Sequence, residues 1–123
     1  MAKLWPSILA ELADMTSAPI ANLEKLLGTP RDGALLRYSL GLEYLKAGAH
    51  EAALEQLREA VGREPGYSAA WRALGRALAE LARDAEALEA WRRGIDAARA
   101  RGDKQAEKEM TVFARRIERK LGA

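Results

Sequence analysis

A pattern of residues that recurs after 34 positions constrains the fold more than any other feature of this chain. The pair Leu40-Gly41 is repeated at Leu74-Gly75, and four further identities occur at the same spacing: Ala53/Ala87, Leu54/Leu88, Glu55/Glu89 and Arg58/Arg92. Self-similarity at such a period is typical of arrays in which each repeat is one helical hairpin. The sequence therefore predicts two consecutive hairpins of helices.

Small and large residues fall on different helices of each predicted hairpin. Gly41 and Gly75 lie on the first helices, whereas Ala53 and Ala87 lie on the second helices. Because glycine has no Cβ atom, it allows another helix to approach closely. We expect the space around each contact to be filled by larger side chains, namely Tyr44, Leu57, Leu78 and Trp91.

The second copy carries the more complete set of signature residues. It follows much of the spacing W-x2-L-G-x2-Y and A-x3-F with Trp71, Leu74, Gly75, Leu78, Ala87 and Trp91. The chain thus resembles tandem tetratricopeptide repeats, and its ending resembles that of small bacterial proteins with two such repeats. The resemblance implies an all-α solenoid of helical hairpins that binds other proteins and performs no catalysis.

The composition agrees with an all-α fold. Of the 123 residues, 49% are hydrophobic and 31% are charged, and Ala, Leu, Glu and Arg dominate, which favours helices. Residues that favour strands are scarce, since valine occurs only at Val61 and Val112 and the one phenylalanine is Phe113. A chain of this length is expected to form one domain.

The predicted boundaries divide the chain into an extension and a repeat domain. Residues 1–19 read as an amphipathic helix and a linker, and residues 20–123 as the repeat domain. Asp32, Asp84 and Asp103 are candidate helix caps. The second helix of repeat two is expected to run longer than its counterpart, because Arg99 replaces the terminating Pro65. Within the domain we predict a short helix over 20–28, repeats over 34–67 and 68–101, and a capping helix over 103–121.

The resemblance also indicates which residues would face a ligand. In this family the concave face is lined by the first helix of each repeat, and counting its ligand-facing positions selects an apolar set on one helix and two arginines on the other. An apolar and acidic segment of a partner would suit this combination, because a guanidinium group binds carboxylates. The candidate partner-binding residues are Tyr38, Leu42, Leu45, Arg72 and Arg76.

Alternatives remain open for these residues. Arg72 and Arg76 could form a solvated face paired to Glu80, and the apolar residues could be covered by the amino-terminal helices. Repeats that hold the carboxy-terminal tails of chaperones use asparagines and lysines in the groove, whereas this chain has Leu42 and Arg76 there. That departure argues against tail recognition of this type.

The amino-terminal segment supports a second hypothesis, which is self-association. Its apolar residues recur at helical spacing, as in helices that dock into grooves. The segment could therefore occupy the groove of its own or a neighbouring copy and form a homodimer through Leu4, Trp5, Ile8, Leu9 and Leu12.

Chemistry and other partners have weaker support. The chain contains no cysteine, so disulfides and thiolate metal sites are excluded, and its one histidine, His50, lies in an interhelical turn. Neither a cofactor nor a metal is expected. Residues 99–120 carry eight cations and four anions, which makes an RNA-associated role a third, less favoured hypothesis. No apolar run is long enough to cross a membrane, and a cytoplasmic location is expected.

Overall fold

The structure, a computed structural model, describes residues 19–122. Residues 19–24 are helical and are called α1 here. The described part of the chain contains no strand, so the predicted all-α fold is confirmed. Five longer helices follow α1: α2 (Ala34–Lys46), α3 (His50–Arg63), α4 (Ser68–Glu80), α5 (Asp84–Arg101) and α6 (Lys104–Lys120).

The five longer helices form two layers. Each packs against the next helix in the chain, so that α2 with α3 and α4 with α5 form the two expected hairpins. In addition, α2 contacts α4 and α4 contacts α6, which places these three helices side by side. The helix α6 was predicted only as a cap, yet it occupies the position that the first helix of a third repeat would take.

Close approach of the helices within each hairpin depends on the predicted glycines. A Cβ atom built on Gly41 would lie 2.5 Å from Cγ of Leu57, and one built on Gly75 would overlap the indole of Trp91. Ala53 and Ala87, on the second helices of the hairpins, are fully buried. The predicted pairing of small and large residues is therefore confirmed.

A third close contact, which the repeat pattern did not predict, holds α6 in place. Gly94 of α5 lies so close to Met110 of α6 and to Trp71 of α4 that a Cβ atom would overlap both side chains. Met110 is fully buried, and Ala106, Ala114 and Ile117 share its face of α6. Three helices thus meet at this one glycine.

The turns inside the two hairpins have the same backbone shape. Gly48, between α2 and α3, has a φ of +76°, and Ala82, at the equivalent place between α4 and α5, has a φ of +58°. Glycine adopts this left-handed region readily, whereas an alanine there is strained by its Cβ atom.

Of the three predicted caps, only Asp103 is correct. Its carboxylate accepts a hydrogen bond from the amide of Ala106 at 3.1 Å. Residue Asp84 is instead the first residue of α5, and its carboxylate pairs with Lys120 of α6 at 2.9 Å.

Asp32 joins the segment after α1 to α2 instead of capping α2, whose N-cap is Gly33. Its carboxylate accepts hydrogen bonds from Nε and Nη2 of Arg37, each at 2.9 Å, and from the amide of Gly28 at 2.9 Å. These hydrogen bonds lower the pKa of Asp32 to about 2, and the bond from Arg37 has the largest effect. The carboxylate therefore remains charged, and the junction remains paired, at any pH above about 4.

The lengths of two helices test the remaining expectations. The helix predicted over 20–28 ends at residue 24, because the following amides of Leu26 and Leu27 bond to carbonyls three residues back and form turns. Those turns end at Gly28, which has a left-handed backbone conformation with a φ of +75°. The prediction for the second helix of repeat two is confirmed, since α5 has 18 residues against 14 in α3.

Tyr44 connects α1 to the first hairpin. Its hydroxyl donates a hydrogen bond to the carboxylate of Glu24, and this bond together with burial raises the pKa of Tyr44 to about 12. The short helix is thereby held against α2. The amphipathic helix predicted for the amino-terminal extension lies outside the described residues.

Candidate functional site

All five predicted site residues line one concave pocket. It has a volume of 520 Å³ and lies where α2, α4 and α6 stand side by side. Tyr38, Leu42 and Leu45 come from α2, and Arg72 and Arg76 come from α4. The structure therefore brings together on one surface residues that are up to 38 positions apart in the chain.

The α2 side of the pocket is apolar and firmly held. Leu45 is buried, whereas Tyr38 and Leu42 are half-buried and face the pocket. The ring of Tyr38 packs at 5.0 Å between centroids against the ring of Tyr67, which lies just before α4. An aromatic pair of this kind fixes the position of the ring and leaves its other face available.

Arg72 is paired across the pocket with α6. Its Nη1 donates to Oε2 of Glu109 at 2.6 Å, and Gln105 donates to Oε1 of the same carboxylate at 3.0 Å. The bonds from Gln105 and Arg72 hold the pKa of Glu109 below its usual value. Arg72 thus has a partner that the sequence analysis did not identify.

Arg76 is paired within its own helix. Its Nε donates to Oε1 of Glu80 at 3.1 Å, and the other oxygen of Glu80 contacts the ring of His50. The alternative in which Arg76 pairs with Glu80 is therefore confirmed. The arginine side of the pocket is therefore a set of charge pairs.

Besides Ala73 and Ala79 of α4, the pocket is lined by residues of α5 and α6 that the sequence analysis did not place there. Phe113 and Glu109 come from α6, and Trp91 comes from α5. Phe113 packs against Trp91 at 5.3 Å between ring centroids. The sequence could have predicted the position of Phe113 from the repeat period. Phe113 lies 34 residues after Ala79 and 68 after Leu45, and both of these residues line the pocket.

Other features of the described residues bear on the hypotheses. Between residues 19 and 122 no cluster of three or more possible metal ligands is found. None of the described helices is long and apolar enough to cross a membrane. Leu4, Trp5, Ile8, Leu9 and Leu12, which the self-association hypothesis requires, lie outside the described residues.

Comparison with known families identifies the repeats. A family model described as the bacterial transcriptional activator domain matches residues 11–118. A TPR repeat-containing protein of Pseudomonas aeruginosa is 49% identical over 100 residues, which are 81% of this chain and 95% of that protein. The chain is a tetratricopeptide repeat protein of the bacterial transcriptional activator domain family.

Solved structures share the architecture of this tetratricopeptide repeat protein. A solution structure of a protein from Bordetella parapertussis is 42% identical with a TM-score of 0.71, covering 82% of this chain and 88% of that chain. The crystal structure of the Sgt2 TPR domain from Aspergillus fumigatus is 27% identical with a TM-score of 0.74, covering 93% of this chain and 73% of that chain. Tetratricopeptide repeats are typically non-catalytic, and membership of the family supports a protein-interaction module as the class of function.

Proposed function

We propose that this tetratricopeptide repeat protein is a cytoplasmic adaptor or assembly factor that binds a short apolar and acidic segment of a partner protein. The segment lies in the pocket between α2, α4 and α6. The observation that carries the proposal is the convergence on one pocket of an apolar wall, formed by Tyr38 and Leu42, with the guanidinium groups of Arg72 and Arg76.

The size and lining of the pocket suit bulky side chains of a peptide. Its 520 Å³ lies within the range of about 300–1,000 Å³ that is usual for ligand sites. Tyr38, Leu42 and Phe113 remain half-buried, so apolar surface is still available to a partner. One or two large apolar side chains of the segment would remove this surface from water, which is favourable in proportion to the area covered.

The arginines retain donors for an acidic group. A guanidinium has five N–H donors, and toward described residues Arg72 uses only Nη1 and Arg76 only Nε. A carboxylate of the partner can therefore bind the remaining N–H groups without displacing Glu109 or Glu80. Because Arg72 and Arg76 are one helical turn apart, both can reach the same acidic group.

Peptide selection on the purified protein tests the proposal directly. Peptides selected from a random displayed library are expected to combine bulky apolar residues with aspartate or glutamate. We expect Arg72→Glu with Arg76→Glu to weaken the selected peptides more than about tenfold, which is about 1.4 kcal/mol, in calorimetric titration.

A matched charge reversal provides the control. Arg58→Glu with Arg93→Glu makes the same change in net charge in a different depression, which is lined by α3, α4 and α5. This control should bind the peptides as the wild type does. Equal affinity of the wild type and the Arg72→Glu, Arg76→Glu variant would contradict the proposed site.

A further inference from the structure

The glutamates of α6 lie on the flanks of the helix that adjoin α4 and α5. All three glutamates of α6 pair with arginines of α4 or α5: Glu109 with Arg72 at 2.6 Å, Glu107 with Arg99 at 3.0 Å and Glu118 with Arg92 at 3.3 Å. These pairs hold α6 against the rest of the fold. Glu107, although it is paired with Arg99, also lines a depression at the edge of the outer side together with Lys104 and Lys108.

The outer side of α6 carries a straight row of cations, which we call the basic stripe. At about 3.6 residues per turn, its four members fall within an arc of roughly 60°. With a rise of about 1.5 Å per residue, the stripe is about 22 Å long. All four are exposed, and none forms an ion pair with a residue in 19–122: Lys104, Lys108, Arg115 and Arg119.

The stripe does not have the composition of a protein-binding surface. The centres of protein interfaces are depleted in lysine and are formed by buried aromatic and aliphatic anchors. Val112, which is 52% exposed, is the one large apolar side chain beside the stripe in the described structure. The apolar face of α6, including Met110 and Ile117, is buried in the fold and cannot insert into a lipid surface.

Phosphate groups, in contrast, are bound by lysine and arginine without apolar anchors. Neutralising a row of phosphates releases condensed counterions, which supplies the affinity of sequence-independent nucleic-acid binding. Single strands usually also require aromatic side chains on which bases stack. Phe113, the one aromatic residue of α6, packs on Trp91 in the pocket and is not on the stripe.

We propose that the basic stripe of α6 binds the phosphate backbone of double-stranded nucleic acid independently of its sequence. This surface is separate from the peptide pocket. Arg72, Glu109 and Phe113 line the pocket, whereas Lys104, Lys108, Arg115 and Arg119 lie on the outer side of the same helix. The two surfaces could therefore be occupied at the same time.

The proposal predicts the salt dependence of binding. With four phosphate contacts, the logarithm of the association constant should fall with the logarithm of salt concentration with a slope of about −3 to −4. Between about 50 and 200 mM salt the affinity should therefore fall roughly 100-fold. Fluorescence anisotropy of a labelled DNA duplex and of an RNA duplex of the same sequence measures both quantities and shows which duplex is preferred.

Matched variants locate the binding surface. Lys108→Gln with Arg115→Gln should weaken duplex binding at least about tenfold at low salt and reduce the magnitude of the slope by about 2. The control, Lys25→Gln with Arg31→Gln, removes the same charge from exposed positions between α1 and α2 and should bind duplexes as the wild type does. Circular dichroism checks that all variants remain folded.

Several outcomes would overturn the proposal. One is the absence of binding to either duplex at low salt, and another is equal binding by the wild type and the Lys108→Gln, Arg115→Gln variant. Binding to phosphatidylserine vesicles without binding to duplexes would assign the stripe to a membrane surface instead. Peptide binding in the pocket is measured separately, so none of these outcomes affects the proposed function.

Discussion

Ala82 is the residue whose conformation departs most clearly from what its side chain prefers. Its left-handed backbone costs an alanine roughly 1–2 kcal/mol, whereas glycine loses about 0.4–1 kcal/mol more entropy on folding. The first effect is the larger, so Ala82→Gly should raise the free energy of unfolding by about 0.5–1 kcal/mol. Urea denaturation followed by tryptophan fluorescence measures this change.

The equivalent turn of the first hairpin supplies the reverse experiment. Gly48→Ala places the same strain at φ +76° and should lower the free energy of unfolding by about 1 kcal/mol. Because no atom lies within 4 Å of the added Cβ, the change would not be obscured by a clash. If Ala82→Gly lowers stability, strain at this turn is not the dominant effect.

The sequence predicts the positions of residues along a helix better than their side-chain partners. The repeat period brought Tyr38, Leu42, Leu45, Arg72 and Arg76 to one pocket, and their binding role stays a prediction. It could not indicate that Arg72 pairs with Glu109, which lies 37 residues away in a helix without the repeat signature. Such a pair depends on how side chains extend across the gap between two helices, and a spacing pattern carries no information about that.

At the scale of helices, the contact between α4 and α5 depends on the missing side chain of Gly75. A methyl group there would overlap the indole of Trp91 and force the helices apart. Gly75→Ala should therefore lower the free energy of unfolding by about 1–3 kcal/mol, since overpacking exceeds the gain in helix propensity. Thermal denaturation monitored by circular dichroism tests this prediction.

Gly62 is a matched control in the neighbouring hairpin. It lies in the last turn of α3, it is exposed, and a Cβ atom added there meets no atom within 4 Å. Gly62→Ala should therefore raise the free energy of unfolding by about 0.5–1 kcal/mol through helix propensity alone. Stabilisation by both substitutions would show that Gly75 is not required for close packing.

Helix ends illustrate why elements are predicted better than their boundaries. An aspartate near the start of a helix can cap the helix, or it can form an ion pair with a basic side chain. Asp103 does the first, whereas Asp32 bonds to Arg37 and Asp84 pairs with Lys120. Lys120 is 36 residues from Asp84, so the choice depends on the folded arrangement of helices that the local sequence does not contain.

At the scale of the molecule, the repeat period predicted the two hairpins but not the position of α6. At the next step of 34 residues, Lys108 and Glu109 replace the Leu-Gly pair, so the pattern ended and the helix was interpreted only as a cap. It nevertheless packs beside α4 as a third wall of the pocket, because Gly94 admits Met110. In the two hairpins the small residue is a glycine on the first helix. At the contact between α5 and α6 the small residue is instead Gly94, on the helix that precedes α6.

Because each helix packs mainly on its neighbours, a cavity at one end of the molecule is predicted to destabilise that end more than the other. Among the described helices α6 packs on α4 and α5, and α3 packs on α2 and α4 and is joined to α5 by the ion pair of Arg58 with Glu86. In such an array stability is nearly a sum of local terms between neighbours. Met110→Ala and Leu40→Ala each empty a fully buried site and should each cost about 2–5 kcal/mol.

Native-state hydrogen exchange shows which helices each cavity destabilises. Met110→Ala should accelerate exchange of the amides of α5 and α6 more than those of α2 and α3, and Leu40→Ala should do the reverse. Val112→Ala, at a side chain that is 52% exposed, should change stability by less than about 0.5 kcal/mol and serves as the control. A uniform acceleration from α2 to α6 in both cavity variants would mean that the hairpins unfold only together, because opening either end would then require opening the contact between α3 and α4.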